Sequence, residues 1–371
     1  MTSNSLFIAL IMGLSGTCMG QAVDQEKDLQ RAPAVADPYQ GGWQSAVQKE
    51  NADLWRSVAD DAGRNSEALL NQYRSERNAS LARNNGAIPE AEQQSLDALA
   101  RRLEVTAPGT FEAYLARFYA DLPKESAFAA VEQATLTGKD RVEVIGPALL
   151  NAARTGDQVA MATWGKALKE RGDVAPGLWA LTDDVLLSTE QHAVLFVAGE
   201  MDAYPLWSKQ MGYGARKDLL IVDVRLLEND GYRKRIWTEA GAKGKVPDGP
   251  AAFIERMANS TERPVYLSLS LGPRTAGPMR DKLYITGLVA RYSATPWDNL
   301  PALAFNWRTM SKRLDAGPLS RNYLLPGAVL LEHYRAVGDE ANASRAEHEL
   351  RGLAERLGAT GALIRAGVLQ H

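Results

Sequence analysis

Cysteine is almost missing from this chain: of 371 residues only Cys18 carries a thiol, and it lies in the apolar stretch near the N-terminus. A lone thiol closes no internal disulfide and anchors no thiolate metal centre. Histidine is scarce too. His192, His333, His348 and His371 are scattered, and none forms a His-x-x-x-His pair, which argues against a dedicated transition-metal site. There is no basic excess either, since 42 Lys plus Arg stand against 45 Asp plus Glu for a net charge of −3. Nucleic acid is therefore not expected as a partner, and no polybasic run suits an anionic membrane surface. Three further absences narrow the chemistry. No Gly-x-Gly-x-x-Gly follows a strand, no Gly-Lys-Ser or Gly-Lys-Thr phosphate loop is present, and no Gly-x-Ser-x-Gly nucleophile elbow appears. No cofactor is expected.

What is present is an ordinary globular composition, 45% hydrophobic and 23% charged, at a length that suits two domains. The chain opens on an uncharged apolar run, Leu6–Leu14, followed by the small residues Ser15–Gly20 and a polar continuation from Gln21. That order is the pattern of a secretory signal, and the run is well short of the roughly 20 apolar residues that span a bilayer. Residues 1–20 are expected to be removed by cleavage near Gly20, leaving a periplasmic or secreted chain without cysteine and without a transmembrane segment. Lipid attachment at Cys18 is the lesser alternative, because Thr17 stands where a lipobox takes Gly or Ala.

Residues 21–42 are rich in Ala, Pro, Gln and Gly and read as a linker. Residues 43–180 read as helical almost throughout. Val47, Leu54, Trp55 and Val58 fall on one predicted face, and Leu96, Leu99, Ala100 and Leu103 on another. Gly138, Gly156 and Gly172 punctuate helices of similar length, which suggests stacked helical hairpins, a solenoid-like half; an irregular bundle fits the same spacing.

The period changes near Leu186. Ala193–Ala198, Asp218–Val224 and Pro264–Leu271 are apolar runs of strand length, with a fourth predicted strand over Lys282–Tyr292. Helical candidates lie between the first three, so residues 181–298 are expected to form a three-layer, mostly parallel α/β domain. Residues 299–371 return to helix. Tyr334, Val337, the Gly338-Asp339 turn, and Ala346, Leu350, Leu353 and Leu357 make a helical hairpin packed on that domain.

Ligands of open α/β sheets bind beyond the carboxyl ends of the strands. The first predicted strand ends in Gly199-Glu200-Met201-Asp202, which puts two carboxylates side by side on an exposed rim, and the second ends in Asp223 and Arg225. Glu200, Asp202, Asp223 and Arg225 are thus the candidate ligand-binding residues. They could bind a cation, hold sugar hydroxyls or act as general acid and base; acidic residues opening a helix also serve as plain N-caps. Trp207 is expected in the core, Arg216-Lys217-Asp218 as a solvated turn, and Gly272–Pro278 as a flexible surface loop.

The segment Leu195–Trp207, an apolar strand running into Gly199-Glu200-Met201-Asp202 and then Tyr204-Pro205-Leu206-Trp207, resembles the soluble C-terminal part of a bacterial family of multi-pass membrane proteins similar to protein O-mannosyltransferases. Arg216-Lys217-Asp218, Leu226-Leu227, Tyr232, Arg263–Tyr266 and Gly287–Arg291 continue the resemblance over about half the chain. Glu200, Met201 and Ser208 depart from the Asp, Asn and Tyr usual there. The family's membrane-embedded transferase portion has no counterpart here, so the resemblance implies a soluble domain and does not carry the reaction with it. The expectation is an exported, non-catalytic binding or docking module, with a protein partner and a glycan in view, accessory to envelope glycan or glycoprotein assembly. A carbohydrate-active enzyme using the rim carboxylates and a purely structural helical scaffold are the alternatives.

Overall fold

The computed structural model describes residues 33–61 and 65–370, so the expected signal segment, its Gly20 cleavage point and Cys18 lie outside the described residues. The chain divides into two compact units. The described part of the first comprises residues 33–61, 65–174 and 211–213, and that of the second comprises residues 175–210 and 214–370.

The first unit is helical. Its elements are α1 (Ser45–Asp61), α2 (Ser66–Arg83), α3 (Glu90–Thr106), α4 (Phe111–Asp121), α5 (Glu125–Thr137), α6 (Ile145–Thr155) and α7 (Gln158–Arg171). Each packs on its successor, most extensively as the antiparallel-neighbour pairs α1–α2, α4–α5 and α6–α7. Start signals in the sequence explain several boundaries: the side chains of Asn65, Thr110 and Asp157 accept hydrogen bonds from Ala68 N, Ala113 N and Ala160 N. Two expectations need correction. Val47 and Leu54 are 45% and 42% exposed, and the buried face of α1 is instead Gln48, Asn51, Ala52 and Ala59. The reason is α2, a polar helix that is nonetheless buried along Asn71, Gln72, Arg74, Ser75, Arg77 and Asn78, so that α1 meets it with polar and small residues. Residues 33–42, read as linker, are packed into this unit, with Val35, Asp37, Pro38 and Tyr39 buried.

The second unit holds the sheet. It begins with α8 (Pro176–Leu187) and then runs β1 (Val194–Val197), α9 (Glu200–Trp207), β2 (Leu220–Asp223), α10 (Asp230–Glu239), α11 (Pro250–Ala258) and β3 (Val265–Ser268). A short helix α12 (Pro273–Ala276) leads to β4 (Leu283–Ile285) and β5 (Val289–Tyr292). Helices α13 (Leu300–Thr309), α14 (Leu324–Ala336), α15 (Glu340–Arg356) and α16 (Thr360–Arg365) complete it. Strand order is β2-β1-β3-β5-β4, with β2, β1 and β3 mutually parallel and β3-β5-β4 antiparallel. Every residue of β1 is buried, as a continuous apolar run demands of the central parallel strand.

The fourth predicted strand is in fact the hairpin β4–β5, which makes the sheet mixed. Gly287 permits it. Its φ of +153° is open to glycine, and a Cβ there would stand 2.1 Å from Ser188 Oγ, which accepts a hydrogen bond from Leu288 N at the end of α8. Asn306 of α13 donates to Thr286 O at 2.6 Å on the same turn, which fixes α13 against the hairpin. Gly272–Pro278, expected as a flexible loop, forms α12 and the start of a 3₁₀ turn, because Pro273 and Pro278 each sit at a helix start where no amide donor is needed.

Candidate functional site

Strand β1 leads through α9 to β2 on one side, and β3 leads through α12 to β4 and β5 on the other. Carboxyl-end connections of β1 and β3 therefore diverge, which makes the crevice between them the topological switch point of the parallel half. Three strand ends converge there: Gly199–Asp202 after β1, Asp223–Arg225 after β2 and Ser268–Ser270 at the end of β3.

Gly199 precedes α9 with φ +86°, ψ +170°, a conformation costly for any side chain-bearing residue, and it turns the chain so that Glu200 and Asp202 enter the first helical turn. Both are buried, Glu200 at 5% and Asp202 at 3% exposure, which corrects the expected exposed rim. Asp202 Oδ2 accepts from Ala198 N at 3.2 Å, and the hydroxyls of Ser268 and Ser270 lie near enough to favour its ionised form. The two serines are linked to each other, Oγ to Oγ, at 2.9 Å. Burial pushes the Asp202 carboxyl up to about 6, with the charge of Asp223 adding to the rise and the three donors working against it.

Asp223 is fully buried and committed elsewhere. Its Oδ1 accepts from Arg225 N at 2.9 Å, and the guanidinium closes on both oxygens, with Nε at 3.1 and 3.0 Å and Nη2 at 2.6 Å. Burial works against the Arg225 charge, but Asp223 outweighs it and holds the guanidinium protonated. Tyr232 of α10 accepts from Asp223 N at 3.2 Å, and burial pushes its phenol well up. Asp202 and Asp223 thus fall into different roles: one is held by neutral donors at the crevice, the other is half of a two-pronged ion pair. Sequence reasoning found the four charged residues and missed Ser268 and Ser270. Their spacing within a predicted strand held the only signal, since Ser268 ends the strand and Ser270 lies just past it.

Other residues of the resemblance sit at the opposite, amino-terminal edge of the sheet. Arg216, expected in a solvated turn, donates through Nη1 to Leu186 O and Thr189 O at 2.7 and 3.0 Å, and through Nη2 to Glu190 O at 2.8 Å. It also grips both oxygens of Asp218 at 3.0 Å, and that hydrogen bonding, with the backbone of His192, draws the carboxyl down to about 2. Arg263 reaches His192 O, Ala193 O and Asp218 O at 2.7, 3.2 and 2.7 Å. These three residues fasten the starts of β1, β2 and β3 together. A recess of about 230 Å³ lined by Asn259, Glu262, Arg263 and Arg291 lies at this edge, away from the switch point.

Behind the switch point, Pro205 interrupts α9, and the helix continues as a π turn, Ser208–Gly212. Lys209 of that turn bonds Asp183 at 2.6 Å and lies over the Trp179 ring at 4.3 Å, tying α9 to α8, while Trp207 is in the core as expected.

Among the described residues no cluster of three or more His, Cys, Asp or Glu side chains is placed to hold a metal ion, and no helix is long and apolar enough to cross a membrane. No curated protein and no solved structure matches the chain. A family model described as TMEM260-associated domain 2 matches residues 179–247, a span that contains Glu200, Asp202, Asp223, Arg225, Arg216 and Asp218 and ends before Arg263, Ser268 and Ser270.

Proposed function

We propose that the protein is an exported, non-catalytic binding or docking module, accessory to envelope glycan or glycoprotein assembly. In this reading it is kin to the soluble C-terminal part of the bacterial membrane proteins similar to O-mannosyltransferases. The α/β unit takes a hydroxyl-rich ligand at its switch point, and the helical unit faces a protein partner. One observation carries the reading. Asp202, Ser268 and Ser270 present an acceptor and two donor–acceptor hydroxyls at the place where open α/β sheets bind ligands, while Asp223 is occupied by Arg225 and is unavailable as a second catalytic carboxylate.

Thermal-shift screening of the full chain against monosaccharides, uronic acids and divalent cations tests it. A sugar should raise the melting temperature of the unaltered protein and lose that effect in Ser268→Ala and Ser270→Ala. No shift with any compound would remove the small-molecule site. Cell fractionation tests the location, and a cytosolic chain that retains Met1 would refute export. The second reading, a carbohydrate-active enzyme, draws on Asp202 alone: a carboxyl that keeps its proton up to about pH 6 suits a general acid. Hydrolysis of a glycan by the unaltered chain, lost in Asp202→Asn, would establish that reading in place of the first.

A further inference from the structure

The part of the buried polar face of α2 around Arg74 and Asn78 is covered by the chain's own segment 33–42. Up to Asp37 this segment has no helix or strand hydrogen bonding of its own, and Asp37 itself is extended at φ −75°, ψ 165°. Its backbone carbonyls are taken by side chains of α1 and α2. Trp55 Nε1 donates to Pro33 O at 3.1 Å, Arg74 Nη2 to Val35 O at 3.2 Å, and Asn78 Nδ2 and Gln48 Nε2 to Ala36 O at 3.0 and 3.3 Å. One charged side chain is read as well. Asp37 accepts from Arg74 Nε and Nη2 at 3.2 and 2.9 Å and from Asn78 Nδ2 at 3.3 Å, while Glu143 lies 4.0 Å from the same guanidinium. Burial works against the Arg74 charge, but Asp37 outweighs it and favours the guanidinium. The segment then leaves through a 3₁₀ turn, Pro38–Gln40, whose Gln40 side chain donates to Gly172 O at 3.0 Å.

Donors aimed at successive main-chain carbonyls read an extended backbone whatever its side chains, and the Arg–Asn pair adds a demand for one carboxylate. Helix-to-helix packing has no need of either. We propose that the α1–α2 face is a receptor for an extended, acidic, proline-bearing peptide segment of a partner protein, and that residues 33–42 occupy it in cis as an autoinhibitory strap. A tethered segment competes at an effective concentration of ~mM, so a partner peptide binds the resting protein weakly and gains access when the strap is loosened. This rests on the helical unit being the partner-facing half. It is independent of the switch-point crevice, so the sugar screen and the experiment below fail separately.

The test uses the full chain and a fluorescent peptide with the sequence of residues 33–42, followed by anisotropy. Asp37→Ala should bind the peptide at least tenfold more tightly than the unaltered chain. That gain should vanish when the peptide carries alanine at its aspartate, and when Arg74→Gln is added to the protein. Circular dichroism and melting temperature report the fold of each variant, and Asp37→Asn replaces Asp37→Ala if the latter unfolds. Equal binding by folded variant and unaltered chain, or a peptide indifferent to loss of its aspartate, overturns the proposal. So does unfolding of both Asp37 variants, which would make the strap an indispensable part of the core.

Discussion

Replacing Asp202 by asparagine isolates the energetic cost of a carboxylate buried at the switch point. The group is 3% exposed and its pKa rises from 3.8 to about 6, so each protonation state interacts differently with the folded protein. Below pH 3.8 the carboxyl is protonated in both folded and unfolded chains and contributes no difference. Between 3.8 and 6 the unfolded chain ionises first, so the native state loses stability as pH rises, by about 1.4 kcal/mol per unit. Above pH 6 the loss levels off at about 3 kcal/mol, the product of a shift of about two units and that slope. Asparagine keeps the shape and the acceptor for Ala198 N but has no proton to lose. The variant should therefore match or fall below the unaltered chain near pH 4 and gain on it steadily up to about pH 6.5. Urea denaturation of both proteins at pH values from 4 to 7.5 reads this. The decisive quantity is the difference between the two, since paired carboxylates such as Asp218 and Glu143, held low by their arginines, drive the overall profile the other way. A difference that stays flat across this range would show that Asp202 titrates normally and that its hydrogen bonds offset its burial.

Three other substitutions probe separate parts of the α/β unit. Asp223→Asn leaves the Arg225 guanidinium without its counter-charge and should cost about 3 kcal/mol, at the low end for a buried pair because Arg225 is partly exposed; a loss under 1 kcal/mol in the same denaturation assay would mean water already screens the pair. Arg263→Ala removes donors to three carbonyls and should lower stability by about 2 kcal/mol, with no change in any ligand-induced thermal shift. Gly287→Ala should cost several kcal/mol, about 3 or more, through the 2.1 Å approach to Ser188 Oγ; a neutral result would mean the β4–β5 turn shifts freely off α8.

The parallel strands were legible because burial on both faces leaves a continuous apolar run, as in Val194–Val197. The β4–β5 hairpin was hidden by the same feature: Leu283 to Tyr292 is apolar enough to pass for one strand, and only the space beside Ser188 makes Gly287 a turn. Arg216 and the strap were illegible for a different reason. Their partners lie 26 to 30 residues away for Arg216 and 37 to 41 residues away for Asp37, and a polar side chain's local context does not reveal a distant carbonyl or guanidinium. Helix α2 shows the same limit on a larger scale, since its polar composition describes a solvated helix and its burial comes from what it binds. At the candidate site, charge was readable from the strand ends, and the division of labour between Asp202 and Asp223 was not. It follows from which carboxylate the Arg225 guanidinium reaches.

The clasp formed by Arg216, Asp218 and Arg263 makes the sheet's two ends unequal in their freedom to breathe. The His192 amide is held by the Asp218 carboxylate and the Leu220 amide by Ala193 O, a carbonyl that Arg263 also grips, so both should exchange with solvent only when this clasped edge opens. Those around Gly199 and Ser270 answer to shorter-range bonds and can open by local excursions. Any molecule admitted at that end would slow their exchange without altering the pinned edge, which gives a way to see occupancy before the occupant is known.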